Sequence, residues 1–155
     1  MKNFAEHKDA RVRKAFDVAK KIHAGQVDKA GVEYINHPLT VAGSVGENIS
    51  AIIVALLHDV VEDGDKTFDE LREEIPLTAD ELQALKLLTH EKNFPYLEYV
   101  ARIKSDELAA KVKAADLKHN SDLSRLKNPT EKDFARAEKY RLALEILEGK
   151  TFDND

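Results

Sequence analysis

Ile49-Ser-Ala-Ile-Ile-Val-Ala-Leu-Leu-His-Asp-Val-Val-Glu-Asp63 is the stretch on which the fold turns. From Ile49 to Val61 the residues are apolar on nearly every side, the pattern of a helix buried in the middle of a domain. The segment ends in a burst of acids, Glu62-Asp63-Gly64-Asp65. Its flanks also read as helix. Val12, Ala15, Phe16, Ala19, Ile22 and His23 share one helical face, and Gly25 stops that helix. Residues 25–37 read as an ordered loop. Pro38 suits the first turn of a short helix ending near Gly46.

Downstream, Thr67-Phe-Asp-Glu70 and Thr78-Ala-Asp-Glu81 match the capping box, so helices start after Thr67 and Thr78. Pro95 precedes a short helix carrying Tyr96, Tyr99 and Ile103. Ser105 or Asp106 opens a longer one running to about Leu123. Asn128-Pro129-Thr130 breaks the chain. The last helix aligns Phe134, Ala137, Tyr140, Arg141, Leu144 and Leu147, and the tail from Gly149 is expected to fray. Six glycines and four prolines leave few interruptions. No repeat or linker divides the chain. The expectation is one all-α domain over residues 1–155, with its core at about 10–148 and about seven or eight helices.

The 155 residues carry 24 Lys+Arg and 29 Asp+Glu, a formal net charge of −5. That balance argues against a nucleic-acid polymer as partner, because duplex binding draws on a basic face. An anionic small molecule remains compatible if cations or a metal ion gather locally. The absence of cysteine excludes disulfides, thiolate metal sites and a cysteine nucleophile. The polar segment Met1–Ala10 has no apolar signal core, and no run approaches the ~20 residues of a membrane span. A cytoplasmic protein without membrane contact is expected. Oligomeric state is not legible.

His58-Asp59-Val60-Val61-Glu62-Asp63 places four ionisable groups directly after an apolar stretch, where unpaired charge is expensive. On a continuous helix Glu62 lies one turn beyond His58, and Asp63 one turn beyond Asp59. Acids at the negative end of a helix dipole want a compensating cation; a helix simply running into an acidic loop gives the same residues. Asp116 and Asn120 share a face in Ala114-Ala-Asp-Leu-Lys-His-Asn120, as they also would on an exposed amphipathic helix. His37 sits between the loop and a helix start, where a lone histidine is commonly structural. His7, His23, His90 and His119 have no comparable setting, and His23 reads as packed.

Together His37, His58, Asp59 and Asp116 form a set of two histidines and two aspartates. Such nitrogen and oxygen donors suit Mn²⁺ or Fe²⁺ with open positions for water, and are also compatible with Zn²⁺. A divalent ion there polarises a phosphoryl oxygen and acidifies water. Glu62 and Asp63 are the candidates for handling protons beside it.

Four blocks carry a family resemblance: Ile22-His-Ala-Gly-Gln26, Gly31 with Tyr34-Ile-Asn-His-Pro38, Ala55-Leu-Leu-His-Asp-Val-Val-Glu-Asp63, and Val112-Lys-Ala-Ala-Asp-Leu-Lys-His-Asn120. In order and spacing the chain resembles the HD superfamily of metal-dependent phosphohydrolases. Within it, the resemblance is to the hydrolase domain of RelA/SpoT-type proteins and to small alarmone hydrolases of the metazoan SpoT-homologue type. The resemblance covers roughly residues 10–148 and implies an HD-domain helical bundle.

It implies one Mn²⁺ held by His37, His58, Asp59 and Asp116, with Glu62 and Asp63 activating and positioning the attacking water. It implies hydrolysis of the 3′-pyrophosphate of guanosine tetra- or pentaphosphate, the nucleotides of the stringent response, releasing pyrophosphate and GDP or GTP. Asn120 is then a nucleotide contact, and Lys29, Lys113, Lys118 and Arg125 are candidates for phosphate. The resemblance stops where a synthetase module would begin, so degradation alone is expected.

Three departures bear on substrate choice. Asp28-Lys29 stands where the family carries Arg-Lys, and an aspartate neither stacks on guanine nor attracts phosphate. Asp116-Leu-Lys-His-Asn-Ser-Asp-Leu123 lacks the arginine after the metal aspartate and replaces a nucleotide-contacting threonine with Leu123. Tyr96-Leu-Glu-Tyr99 stands where basic residues are expected. A related HD phosphohydrolase acting on another nucleotide or phosphate ester is the alternative.

Overall fold

A computed structural model describes residues 3–64 and 66–149. Among these residues the chain forms α-helices α1 (Ala10–Ile22), α2 (Asn36–Gly43), α3 (Ile49–Leu57), α4 (Val60–Asp63), α5 (Phe68–Glu74), α6 (Ala79–Leu88), α7 (Tyr96–Ile103), α8 (Glu107–Asn120) and α9 (Glu131–Leu147). Two 3₁₀ turns, Phe4–Glu6 and Leu123–Arg125, complete the set. Eight helices longer than one turn plus the single turn α4 match the expected all-α class. The tail expected to fray lies mostly outside the described residues, as does Asp65.

Helix α3 is the axis of the molecule. Every residue from Ala51 to Leu57 is buried, and α1, α2, α6 and α8 pack around it. Burying a Leu or Ile side chain contributes about 1.5–3 kcal/mol, so this one helix anchors much of the core. Local chemistry sets the helix starts. Asn48 accepts from Ala51 N–H, Asp106 accepts from Ala109 N–H, and Asp9 accepts from Arg11 N–H at the start of α1. Reciprocal capping boxes close on α5 and α6 as the two Thr-x-x-Glu motifs require, and Thr130 with Asp133 does the same for α9.

Glu81 does more than cap α6. It is fully buried. Its Oε1 accepts from Arg11 Nη1 (2.6 Å) and Thr78 N–H (2.9 Å), and its Oε2 from Arg11 Nη2 (3.1 Å) and Ser50 Oγ (2.6 Å). One carboxylate thus ties α1, α3 and α6 together.

Three expected boundaries shift. The apolar helix does not run unbroken to Val61: Asp59, at φ −105° and ψ 0°, leaves helical geometry and separates α3 from α4. This is the sparsely populated bridge region, which re-aims the chain just after His58. Helix α2 ends at Gly43 rather than Gly46. On α9 the fully buried residue is Ala143, while Phe134 is 56% exposed. The inward stripe is therefore rotated from the expected one, because α9 packs mainly on α7 and α8.

The loop between α1 and α2 is ordered by Asp28. Its Oδ1 accepts from the N–H groups of Ala30 (2.8 Å) and Val32 (3.0 Å), and an isolated antiparallel bridge pairs Val27 with Glu33. Gly31 makes the tight turn at φ +80°, where a side chain would be strained. Gly64 matters for space instead, since a Cβ there would lie 2.7 Å from Ile22 Cγ2. The end of α4 can therefore press against α1. No helix among the described residues is long and apolar enough to cross a membrane.

Candidate metal centre

The four polar side chains drawn from α2, the α3–α4 junction and α8 converge where these elements meet. His37, His58 and Asp116 are each 4% exposed, and Asp59 is 15% exposed at its side chain. His37 Nε2 lies 2.7 Å from Asp116 Oδ1 and 3.8 Å from Asp59 Oδ2. His58 Nε2 lies 3.1 Å from Asp59 Oδ2 and 3.3 Å from Asp116 Oδ1. Adjacent ligands around an ion at about 2.1 Å stand about 3 Å apart, so these separations fit the edges of a coordination shell. His37, His58 and Asp59 by themselves form a group able to hold a metal ion.

His58 decides what the cluster is for. Its Nδ1 lies 2.6 Å from the Ala55 carbonyl, which only accepts, so Nδ1 carries the proton. In the neutral ring Nε2 then presents a lone pair to two carboxylates. It is buried and without a hydrogen-bond partner. Burial alone pushes the His58 pKa down, but Asp59, and then Asp116, outweigh it and carry the pKa well above the ordinary imidazole value. The cluster demands positive charge at that spot, either as a proton or as a metal ion.

The surroundings orient the donors. Tyr34 donates its hydroxyl to Asp59 Oδ2 at 2.6 Å. Burial and then Asp59 raise the Tyr34 pKa, so it remains a donor. Lys113 Nζ binds Asp116 Oδ2 at 2.9 Å, and Asn120 Nδ2 donates to Asp116 Oδ1 at 3.1 Å. Burial pushes Asp116 up, but Lys113, His37 and His58 hold it well below the carboxylate range. Asp59 is pushed up by burial too, yet the nearby charge of His58 brings it to about 2. Both aspartates are therefore ionised.

His119 Nδ1 stands 2.7 Å from His37 Nδ1. Burial, then the His37 charge, lowers its pKa to about 4, so it is neutral and able to accept. A hydrogen bond donated by His37 Nδ1–H to His119 Nδ1 would leave the lone pair of a neutral His37 ring on Nε2, where an ion would replace the present 2.7 Å contact with Asp116 Oδ1.

Glu62 and Asp63 lie at the exposed rim. The break at Asp59 separates Glu62 from the one-turn pairing with His58 that an unbroken helix predicts. It instead accepts the His90 N–H at 2.8 Å. Burial and the charge of Asp59 raise the pKa of both rim acids, although the His90 bond partly opposes this at Glu62.

Beside the centre a cleft of about 300 Å³ is lined by Tyr34, Asn120, Lys29, Arg125, Leu123 and Tyr140, among others. Lys29, Asn120 and Arg125 thus meet as the sequence suggests. Lys118 does not line the cleft. It is exposed, two residues and so about 200° around α8 from Asp116. Lys113, a candidate for phosphate, is instead committed to Asp116, with its ammonium 5.7 Å from the Tyr96 ring and 5.2 Å from Tyr99. Asp28 is not a bare repulsive charge, because Arg125 Nη1 reaches its Oδ2 at 3.3 Å.

Sequence reasoning passes over His119 and gives Tyr34 no role, although the spacing holds a signal. Lys113 is three residues before Asp116 and His119 three after it, separations that put neighbours on one face of α8, and Tyr34 is tied to His37 by a turn, with His37 N–H donating to the Tyr34 carbonyl at 2.9 Å.

A helical domain that gathers two imidazoles and two carboxylates, one imidazole nitrogen buried and unpaired, has the features of a divalent-metal-binding fold. The chain belongs to the HD domain family, whose profile matches residues 15–141. Among curated relatives, a probable GTP pyrophosphokinase of Mycobacterium leprae is 32% identical over 149 residues, covering 88% of this chain and 18% of the relative. A guanosine-3′,5′-bis(diphosphate) 3′-pyrophosphohydrolase of Aquifex aeolicus is 38% identical over 76 residues, covering 47% of this chain and 11% of the relative. The chain therefore spans less than a fifth of these relatives. A solved structure described as a metazoan ortholog of SpoT that hydrolyzes ppGpp superposes with a TM-score of 0.73 at 21% identity, over 96% of this chain and 92% of that one. That likeness confirms the fold.

Proposed function

We propose that this chain is a single HD-type domain hydrolysing the 3′-pyrophosphate of guanosine tetra- or pentaphosphate, with release of pyrophosphate and GDP or GTP. The observation that carries the reading is the unpaired His58 Nε2 between two ionised aspartates at the edge of a nucleotide-sized cleft. The printed activity of the Aquifex relative supports the substrate. His37, His58, Asp59 and Asp116 hold the ion. Mn²⁺ suits this donor set best, while Fe²⁺ and Zn²⁺ accept the same atoms. When bound, the ion supplies a Lewis acid for the phosphoryl oxygen and lowers the pKa of water.

The chain's own residues do the rest. The water oxygen bonds to the phosphorus on the 3′ oxygen as the O3′–P bond breaks. The water proton passes to Glu62 or Asp63, whose raised pKa values suit them to accept it. The 3′ oxygen leaves with a proton as the nucleoside hydroxyl. Asn120 spans Asp116 and the cleft, and Lys29 and Arg125 offer cations to the nucleotide. Tyr34 fixes Asp59, and Lys113 fixes Asp116. A cytoplasmic setting follows from a nucleotide substrate.

The test is pyrophosphate release from guanosine tetraphosphate by metal-stripped protein reloaded with Mn²⁺. The parent should turn over, and Asp59→Ala should lose both metal and activity. Glu62→Ala should keep the metal and lose about 10²–10⁴-fold in kcat. No release by manganese-loaded parent would overturn the substrate, and full activity in Glu62→Ala would remove that residue from the mechanism.

A further inference from the structure

The cleft does not end at the nucleoside-sized space beside the metal centre. It shares Lys29, Arg125, Leu126, Asp133 and Arg136 with a second, more open groove of about 630 Å³. The two hollows thus form a continuous path, from Tyr34 and Asn120 at the metal end to Lys127 and Lys132 at the far end. Their chemistry differs. The cleft sets apolar walls, Val27, Leu123, Leu126 and Tyr140, among balanced charges, with Asp28, Asp122 and Asp133 against Lys29, Arg125 and Arg136, so a flat ring fits it better than a phosphate chain. The groove is lined by five cations, Lys29, Arg125, Lys127, Lys132 and Arg136, against one acid, Asp133. This gathering stands out in a chain of net charge −5.

Two of the five cations already have a carboxylate partner. Arg125 pairs with Asp28 at 3.3 Å and Arg136 with Asp133 at 3.0 Å. Asp133 is further engaged by Thr130 N–H at the start of α9. Lys29, Lys127 and Lys132 are exposed, and no acid among the described residues pairs with them. Three uncompensated ammonium groups around an open groove raise the local concentration of anions and favour multiply charged ones.

We propose that this groove seats the 5′-phosphate chain of the nucleotide whose 3′-pyrophosphate lies at the metal centre, and that the enzyme therefore favours the longer 5′ chain. The proposal rests on the function given above and adds a specificity determinant, Lys127 with Lys132. The ring occupies the apolar cleft, one phosphate group reaches the metal, and the other extends toward the lysines. A nucleotide phosphorylated at both ends has the charge distribution that this path complements. The Arg125–Asp28 pair marks the boundary between the two compartments.

The first measurement compares kcat/KM for guanosine 3′-diphosphates carrying a 5′-mono-, di- or triphosphate. The parent should prefer the triphosphate over the monophosphate by about tenfold, chiefly through KM, the size expected of two exposed charge contacts. In Lys127→Ala/Lys132→Ala that ratio should fall toward one. Neither lysine has a hydrogen-bond or ion-pair partner among the described residues, so the thermal midpoint should not move. A ratio near one in the parent, or an unchanged ratio in the double variant, overturns the proposal.

The second measurement is independent of turnover. Inorganic tripolyphosphate is titrated into metal-stripped protein, where it cannot bridge to an ion. Its affinity should drop about tenfold in the double variant and weaken as salt screens the charges. Tripolyphosphate binding that ignores the two lysines overturns the groove even if alarmone is hydrolysed. Lysine-dependent binding without hydrolysis of any of the three nucleotides supports the groove and overturns the substrate instead.

Discussion

Glu81 and Asp116 are both buried carboxylates, each beside a long cation, and they do opposite things. Glu81 has four acceptor positions and four donors: two from Arg11, one from Ser50 and one from Thr78. Nothing around it is left wanting. Asp116 also has firm partners in Lys113, Asn120 and His37 Nε2, yet its Oδ1 faces the unpaired His58 Nε2, which Asp59 faces as well. A satisfied buried charge is a structural tie, whereas one that leaves a neighbour unsatisfied marks where something else must bind. Burial and charge are alike in the two places, and donor accounting tells them apart.

The contrast can be broken most forcefully at Glu81. Glu81→Ala strips the partner from Arg11 and Ser50 and removes the reciprocal cap of α6. It should cost about 3 kcal/mol, at the low end for a broken buried pair because Arg11 keeps some water contact. For a domain of this length that lowers the midpoint by about 6–12 °C. The Mn²⁺ affinity of the folded variant should be unchanged. A large loss of metal affinity without unfolding would show that the two carboxylates are not separate in function.

The difference also explains what is legible in the sequence. Helix α3 announces itself because every face is apolar, and the Thr67 and Thr78 boxes because capping is local. His37, His58, Asp59 and Asp116 are recoverable as a set since few residues combine ligand chemistry with apolar flanks. The break at Asp59 is not, because His58-Asp59-Val60 has no Gly or Pro to betray it. The roles of Tyr34, Lys113 and His119 depend on which face of each segment turns inward, and tertiary packing decides that. Lys118 misleads for the same reason: it belongs to the right motif and the wrong side of α8. Glu81 reads only as a cap, since Arg11 is 70 residues away in sequence.

A smaller effect sharpens the other half of the comparison. If the His58 Nε2 environment is built for a cation, supplying one should stabilise the protein by mass action. At a free Mn²⁺ concentration of 100 Kd the gain is about 2.7 kcal/mol, read as a rise in the thermal midpoint. Asp59→Asn should abolish this response, because it removes the charge that most raises the His58 pKa. An amide nitrogen in place of Oδ2 can donate both to His58 Nε2 at 3.1 Å and to the Tyr34 hydroxyl oxygen at 2.6 Å. The variant would convert an open site into a closed one like that around Glu81. A Mn²⁺-dependent rise in the midpoint of Asp59→Asn as large as the parent's would show that Asp59 does not help to hold the ion.

The smallest effect is the pH dependence of the Glu81 tie. Burial pushes its carboxyl up, but the bonds from Arg11, Ser50 and Thr78 N–H outweigh that and hold its pKa below the ordinary 4.5. A depressed folded-state pKa contributes stability that is fully present above the unfolded value and is lost as pH falls through the folded one. Glu81→Gln removes that contribution while keeping the side-chain volume. In metal-free protein the stability gap between parent and variant should therefore stay constant, at about 1.5 kcal/mol, the low end for hydrogen bonds to a charged group, from pH 8 down to about 5. It should then close progressively below 4.5. Because both proteins share every other titrating group, subtracting the variant from the parent isolates Glu81 even though His58, Asp59 and Asp116 titrate alongside it. A gap that opens rather than closes on acidification would reverse the sign of the argument. Burial would then dominate the bonds at Glu81, and this carboxylate would be the strained one of the pair.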